Sequence, residues 1–281
     1  MLGERTLVMG VLNVTPDSFS DQGLYRDAAA AIDRARQMEA EGADIIDLGG
    51  ESTRPGSERV TAEEELRRVI PVLRGLRGQV KVPISIDTYK PDVARAAIEA
   101  GASLINYVAM GPTPSMIGVA RELGVPLIIM HMRGTPEVMH KLPPLPDPSA
   151  QVAADLTQLR DLALQAGMSA GNVWLDPGFG FGKNGDENYE LLAGLDRLHS
   201  LGCPLVVGTS RKSFIGRTLG TSANDRTWGT AATVTAAILA GAHVVRVHDV
   251  AAMVQVARVA DQILAHAHHA KMAPGEGMCP Q

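Results

Sequence analysis

Short apolar runs alternate with longer stretches of helical period along most of the chain. Eight runs read as strands: Leu7–Val14, Ile45–Gly50, Pro83–Thr88, Leu104–Ala109, Pro126–Met132, Val173–Gly178, Pro204–Ser210 and His243–Asp249. They are nearly continuous in apolar residues, as expected of parallel strands buried on both faces. Amphipathic stretches rich in Ala, Leu, Glu and Arg lie between them: Arg26–Glu41, Thr61–Arg77, Pro91–Ala100, Pro114–Leu123, Ser149–Ala166, Glu187–Ser200, Thr227–Ala240 and Ala251–Ala267. Thr61 and Glu64 have the spacing of a capping box. Gly42, Gly101, Gly124, Gly167, Gly202 and Gly241 each follow a predicted helix, where glycine commonly stops one.

Eight strand–helix units predict an α/β protein, a single (β/α)8 TIM barrel with its active site at the C-terminal ends of the strands. The alternative is an open doubly wound sheet, which usually has fewer strands and often a Gly-rich fingerprint after the first. No domain boundary interrupts the alternation. The barrel is expected over residues 1–267, with Leu142–Pro148 as a long loop and residues 268–281 as a flexible tail.

Composition narrows the chemistry. A chain of 281 residues with 45% hydrophobic and 20% charged residues is an ordinary globular length and composition for one barrel. The net charge of −5 supplies no global field for nucleic acid or anionic membrane, so an anion site must be local. Aromatic residues make up 4%, too few to suggest base-stacking platforms. No long uncharged apolar run predicts a membrane span. Cys203 and Cys279 cannot build a disulfide framework, and Met1–Arg5 lacks a signal-peptide pattern. A cytoplasmic protein is expected.

Polar residues collect at the strand ends, where a barrel keeps its chemistry. Strand one ends at Asn13 and leads into Thr15–Phe19; strand two carries Asp47 and leads into Gly49–Gly56. The later strands bring Asp87, Asn106, the Met130-His131 pair, Asp176, Gly208–Ser210 and Arg246 with His248-Asp249. Strand ends turn polar where they meet water, which accounts for one or two such residues. Asp47, Asp87, Asp176 and Arg246 each follow several apolar residues, and a buried unpaired charge costs several kcal/mol. These groups need partners or a ligand. Arg54, Arg211, Lys212, Arg246 and His248 form a local cationic group suited to phosphate or diphosphate. Asp87, Asp176 and Asn106 suit a flat ligand with several N–H donors, and Phe19, Met130 and Phe181 could sandwich its ring.

Other motifs fail. The glycines at 178, 180 and 182 fit neither the dinucleotide fingerprint nor the P-loop. His266, His268 and His269 lack Cys or acidic partners in register and read as solvated. There is no nucleophile elbow. Cys203 reads as packed and not reactive.

At these residues the sequence resembles the dihydropteroate synthases. The matching segments are Asn13–Asp21, Gly49–Gly56, Asp176–Lys183, Ser210–Ser213 and Arg246–Asp249, in order and each at a predicted strand end. The resemblance implies a cytoplasmic step of folate synthesis, usually by a homodimer, that is the target of sulfonamides. The implied enzyme joins 4-aminobenzoate to 6-hydroxymethyl-7,8-dihydropterin diphosphate with the help of Mg²⁺. It implies that Asp87, Asn106, Asp176 and Lys212 hold the pterin, with Met130, Phe181 and Gly208 shaping its slot. It assigns Asn13, Arg54, Arg246 and His248 to the diphosphate, with Asn13 near Mg²⁺. Thr53, Pro55, Phe19, Phe181, Lys212 and Ser213 fall on the aminobenzoate side. Asp87, Asp176, Lys212, Arg246 and His248 are the implied catalytic set, and loops 15–25 and 51–60 are implied to close over the substrates.

The main departure is Tyr107, where the family usually has Asp. Alternation along the strand predicts that Tyr107 faces away from the side used by Asn106. Tyr107 leaves open a catalytically impaired pterin-binding relative. A pterin-dependent methyltransferase serving a corrinoid protein is a further alternative, but it has no use for a diphosphate subsite.

Overall fold

The computed structural model describes residues 2–14, 24–51, 59–109, 111, 113–135 and 138–272. Eight strands alternate with helices: β1 (Leu7–Asn13), α1 (Leu24–Ala40), β2 (Ile45–Gly49), α2 (Ala62–Leu76), β3 (Ile84–Asp87), α3 (Pro91–Ala100), β4 (Leu104–Tyr107) and α4 (Pro114–Leu123) form the first half. The second half is β5 (Leu127–Met130), α5 (Pro148–Gln165), β6 (Val173–Asp176), α6 (Gly185–Ala193), β7 (Val206–Val207), α7 (Ser213–Leu219), α8 (Thr227–Leu239), β8 (Val244–Val247) and α9 (Val250–Met272). All pairings are parallel, in the order β6-β5-β4-β3-β2-β1-β8-β7. A parallel bridge from Leu175 to Leu205 joins β6 to the segment entering β7 and closes the ring. The result is a (β/α)8 barrel and not an open sheet.

Alternation along the strands divides the apolar side chains between two masses. Leu7, Met9, Ile45, Leu104, Ile128, Trp174, Val206 and Val244 form one buried cluster. Residues from β1 and from β4–β5 can meet in one cluster only across the barrel interior, so this is its plug. The intervening residues, among them Val8, Ile46, Ile86, Ile105, Ile129 and Val245, join the larger cluster beneath the helices. Each such buried side chain contributes about 1.5–3 kcal/mol.

Local signals explain the helix ends. Thr61 caps α2 by accepting from Glu64 N, but the Glu64 carboxylate turns to Arg67 and Arg68 and completes no box. A full capping box occurs instead at α6, between Asn184 and Glu187. Gly124 ends α4 at φ 67, and the other five predicted stops also have positive φ.

Two helical expectations change. The stretch expected as one helix over Glu187–Ser200 divides at Gly194 into α6 and a 3-10 segment, Leu195–Leu201. A Cβ at Gly194 would lie 2.7 Å from Ser149 Oγ, so the division occurs where Ser149 of α5 packs against the chain. The seven-residue α7 has no counterpart in the periodicity, being too short to show one. α9 runs on to Met272, and residues 273–281 lie outside the described residues. No helix among the described residues is long and apolar enough to cross a membrane.

Candidate active site

The inward phase that buries the plug also sets the rim. Continuing it toward the strand C-termini brings Asn13, Asp47, Asp87, Asn106, Met130, Asp176, Gly208, Arg246 and His248 to the interior. The register aligns Asn13, Gly49, Asp87 and Asn106 on β1 to β4, and Met130 with Asp176 on β5 and β6. Gly49 keeps this row open: a Cβ there would lie 3.3 Å from Asn13 Oδ1 and 3.5 Å from Asp87 Cβ.

A cleft of about 660 Å³ opens above this layer. Of the residues expected at the site, Asn13, Asp87, Phe181, Gly208, Lys212, Ser213, Arg246 and His248 line it. Asn106, Met130 and Asp176 are buried, with 3%, 2% and 6% exposure. Met130 packs with Phe181 and Met139. Phe19, Thr53, Arg54 and Pro55, and most of the two loops expected to close, lie outside the described residues.

Three buried carboxylates meet two partly exposed cations at this layer. Arg246 donates from Nε to Asp47 Oδ2 at 2.6 Å and from Nη2 to Asp87 Oδ2 at 2.7 Å. Asn106 Nδ2 donates to the same Asp47 oxygen at 3.0 Å. A carboxylate only accepts, so this contact fixes the Asn106 amide with its nitrogen toward Asp47. Asp176 Oδ1 accepts from Gly178 N at 2.7 Å. Burial pushes Asp87 up to about 7 against the pull of Arg246, with Asp47 adding to the rise. Burial raises Asp176 as well, opposed by the Gly178 N–H and Lys212. Burial works against the charge of Arg246, but Asp47 and Asp87 override it and hold the guanidinium firmly protonated.

The expected cationic group is smaller than its residue types suggested. Arg211 donates to both oxygens of Asp249, which offsets its charge. It also sits at φ 59, the one non-glycine in the left-handed region among the described residues. His248 is no cation: burial, with Arg246 and Arg211 nearby, pushes it down to about 3. Ser210 Oγ accepts from His248 N at 3.2 Å and lies 3.0 Å from His248 Nδ1. This geometry is satisfied when Ser210 donates to Nδ1, which leaves Nε2–H as a neutral donor. Lys212 has no carboxylate within ion-pair distance among the described residues. Its Nζ lies 4.1 Å from the centre of the Phe181 ring. Burial pushes it down to about 8, helped by Arg246 and opposed by Asp176 and Asp87.

Several residues at the site were not picked out for it from sequence. Asp47 was noted only as a charge needing a partner; its shared phase with Asp87 and Arg246 was the available signal. Arg226 lines the cleft and donates to the carbonyls of Arg211, Lys212 and Thr221. It lies in a loop and gave no signal. Tyr107 behaves as the alternation predicts: it is 3% exposed and packs in the outer core. The residue that departs from the family pattern therefore faces away from the cleft.

The rim thus offers paired acids for an N–H-rich edge, an aromatic wall and neutral and cationic donors for an anion. Comparisons with known proteins agree with that chemistry. The family model for pterin binding enzymes matches residues 9–248. Dihydropteroate synthase of Synechocystis is 47% identical over 264 residues, covering 93% of this chain and 91% of that one. The crystal structure of dihydropteroate synthase from Clostridium difficile, in the presence of pteroic acid, superposes with a TM-score of 0.87 at 42% identity, covering 93% of this chain and 98% of that one. A sulfonamide complex of the Yersinia pestis enzyme also gives 0.87 at 40% identity, covering 95% of this chain and 96% of that one. On sequence, fold and site together, the chain belongs to the dihydropteroate synthase family.

Proposed function

We propose that this cleft joins 4-aminobenzoate to 6-hydroxymethyl-7,8-dihydropterin diphosphate, giving 7,8-dihydropteroate and diphosphate. The observation that carries the residue-level reading is the buried layer of Asp87, Asp176, Asn106, Arg246 and Lys212 under a cleft walled by Phe181. Asp87 and Asp176 accept from the N–H groups along the pterin edge, as paired acceptors do for planar donors. Asn106, its amide fixed by Asp47, turns its carbonyl oxygen to the ligand. Lys212 donates to the pterin face that carries the ring acceptors. His248 Nε2–H and Asn13 meet the diphosphate, joined by Arg54 from the loop after β2. Phe19, Thr53 and Pro55 join Phe181 and Ser213 around the aryl amine.

The reaction then has a simple charge logic. The methylene C–O bond breaks with its electron pair leaving on diphosphate. The pterin ring delocalises the positive charge left behind, and Asp87 and Asp176 stabilise it electrostatically. The aryl amine nitrogen forms the new bond and releases a proton to solvent. An aryl ammonium is acidic enough that no strong base is required; positioning and exclusion of water do the rest.

The residues present fit a magnesium ion shared with substrate. No group of three or more His, Cys, Asp or Glu side chains among the described residues could cage a metal. Asn13 offers a hard amide oxygen at the cleft, and Mg²⁺ commonly takes one or two protein oxygens and completes its shell with phosphate and water. When bound, the ion neutralises charge on the leaving diphosphate.

The active form is proposed to be a cytoplasmic homodimer. Trp228, 85% exposed on α8, and Leu219, 48% exposed at the end of α7, favour association. The free, buried thiol of Cys203 suits a reducing compartment.

The test is diphosphate release from the purified protein with the pterin diphosphate and Mg²⁺, with and without 4-aminobenzoate. Release that depends on the aryl amine is expected. Pterin binding without release would point instead to a non-catalytic binder. Methyl transfer to a corrinoid protein without diphosphate chemistry would overturn the reading.

A further inference from the structure

The turn between β6 and α6 carries Phe181 into the cleft, and it is clamped at several of its backbone atoms. Gly178, Gly180 and Gly182 sit at φ 66, 80 and 71. A Cβ at Gly178 would lie 1.9 Å from the His131 carbonyl oxygen, and one at Gly182 would lie 2.3 Å from that of Arg133. The turn is therefore wedged against the segment that follows β5. Gly180 N donates to Asn188 Oδ1 at 2.7 Å, and Arg133 Nη1 donates to the Gly182 carbonyl at 3.0 Å.

Lys183 makes the central clamp. Its Nζ donates to the carbonyls of Gly178 at 2.8 Å and Phe181 at 3.1 Å, and the residue is 5% exposed. It has no carboxylate at ion-pair distance among the described residues. Burying an amine without a counter-charge is costly, and the two carbonyls are what it obtains in return. Burial pushes this amine down to about 7, countered by Asp176 and reinforced by Lys212 and Arg133. A neutral amine still has two N–H groups, so both carbonyls stay capped on either side of that pH. Lys183 is not among the residues lining the cleft. It acts one step away, through the backbone that sets the Phe181 ring beside Lys212.

We propose that Lys183 is a positioning residue for the aryl amine subsite: by capping the Gly178 and Phe181 carbonyls it fixes the turn that presents the Phe181 ring. This rests on the reading above that Phe181 borders the aryl amine. Small displacements at such a position are expensive, because a misplacement of about 1 Å can cost about a hundredfold in rate.

The test is a double-mutant cycle of Lys183→Met and Phe181→Ala, scored by diphosphate release. Lys183→Met is expected to raise KM for 4-aminobenzoate about tenfold, and that for the pterin diphosphate by clearly less. In the Phe181→Ala background, Lys183→Met should add less than about twofold. Fully multiplicative effects, or equal losses on both substrates, would overturn the proposal. If Lys183→Met does not fold, Lys183→Gln, which keeps one donor, replaces it in the same cycle. Hydrogen exchange in the substrate-free protein supplies a readout independent of turnover. The amides of residues 178–182 should exchange faster in the Lys183 variant while those of β1 to β4 do not change. Unaltered exchange in the turn sinks the clamp. Accelerated exchange with no release by the unmutated enzyme sinks the synthase reading and leaves the clamp standing.

Discussion

Arg246 Nε donates to Asp47 Oδ2 at 2.6 Å across 199 positions of sequence. Asp47 is 0% exposed, and its other oxygen has no partner among the described residues. The same Oδ2 also receives the Asn106 amide. One buried carboxylate therefore orients both Asn106 of the proposed pterin slot and Arg246 beside it.

Asp47→Ala should lower the unfolding free energy by about 3–5 kcal/mol, because it leaves Arg246 with one of its two buried acids. Asp47→Asn keeps an acceptor and should cost less. In both variants KM for the pterin diphosphate should rise more than KM for 4-aminobenzoate. Urea denaturation and steady-state kinetics check the two parts separately. Unchanged pterin KM would show that Arg246 and Asn106 are held by other contacts.

The burial of Asp87 and Lys212 predicts a pH optimum. Asp87 is raised from 3.8 to about 7, so between these values the folded protein holds a proton that the unfolded chain has lost. Its contribution to stability is full below about pH 4 and is lost as pH rises through about 7. A pterin that donates N–H groups to the ionised carboxylate prefers the deprotonated form. Affinity for 6-hydroxymethyl-7,8-dihydropterin should therefore rise from pH 6 to about 7, with proton release on binding. It should fall again above about 8, where Lys212 loses its charge. Calorimetry in buffers of different ionisation enthalpy measures both effects. Asp87→Asn should abolish the rise on the acid side, and persistence of that rise would assign it to another group.

Tyr107 packs outside the barrel, so restoring an acid there should harm the protein and not improve it. Tyr107→Asp places an unpaired carboxylate in the outer apolar core and should cost about 3–5 kcal/mol. Tyr107→Phe removes only the hydroxyl and should cost about 1 kcal/mol, with turnover unchanged. Thermal melts of the two variants, together with diphosphate release, decide this. A stable and faster Tyr107→Asp enzyme would contradict the orientation.

The strand–helix alternation, and with it the barrel, was legible in the order of residues, because a parallel strand must be apolar on both faces and a covering helix on one. Which residues stand at the strand ends was legible there too, since alternation carries the phase of Met9 or Ile45 forward to Asn13 or Asp47. Tyr107 could be turned outward by the same rule. Helices as short as α7, and the division at Gly194, could not be read: one needs more turns to show a period, and the other depends on contact with Ser149. The charge pairing was not legible in the order of residues and emerges on folding. Residue type marked Arg211, Arg246 and His248 alike as candidates for an anion. Closing the barrel spent Arg246 on Asp47 and Asp87, matched Arg211 to Asp249, and left His248 neutral. It also turned Lys183, a loop lysine by sequence, into a buried clamp. Periodicity is written into neighbouring residues, but Coulomb energy and desolvation depend on distances that exist only once β8 lies beside β1.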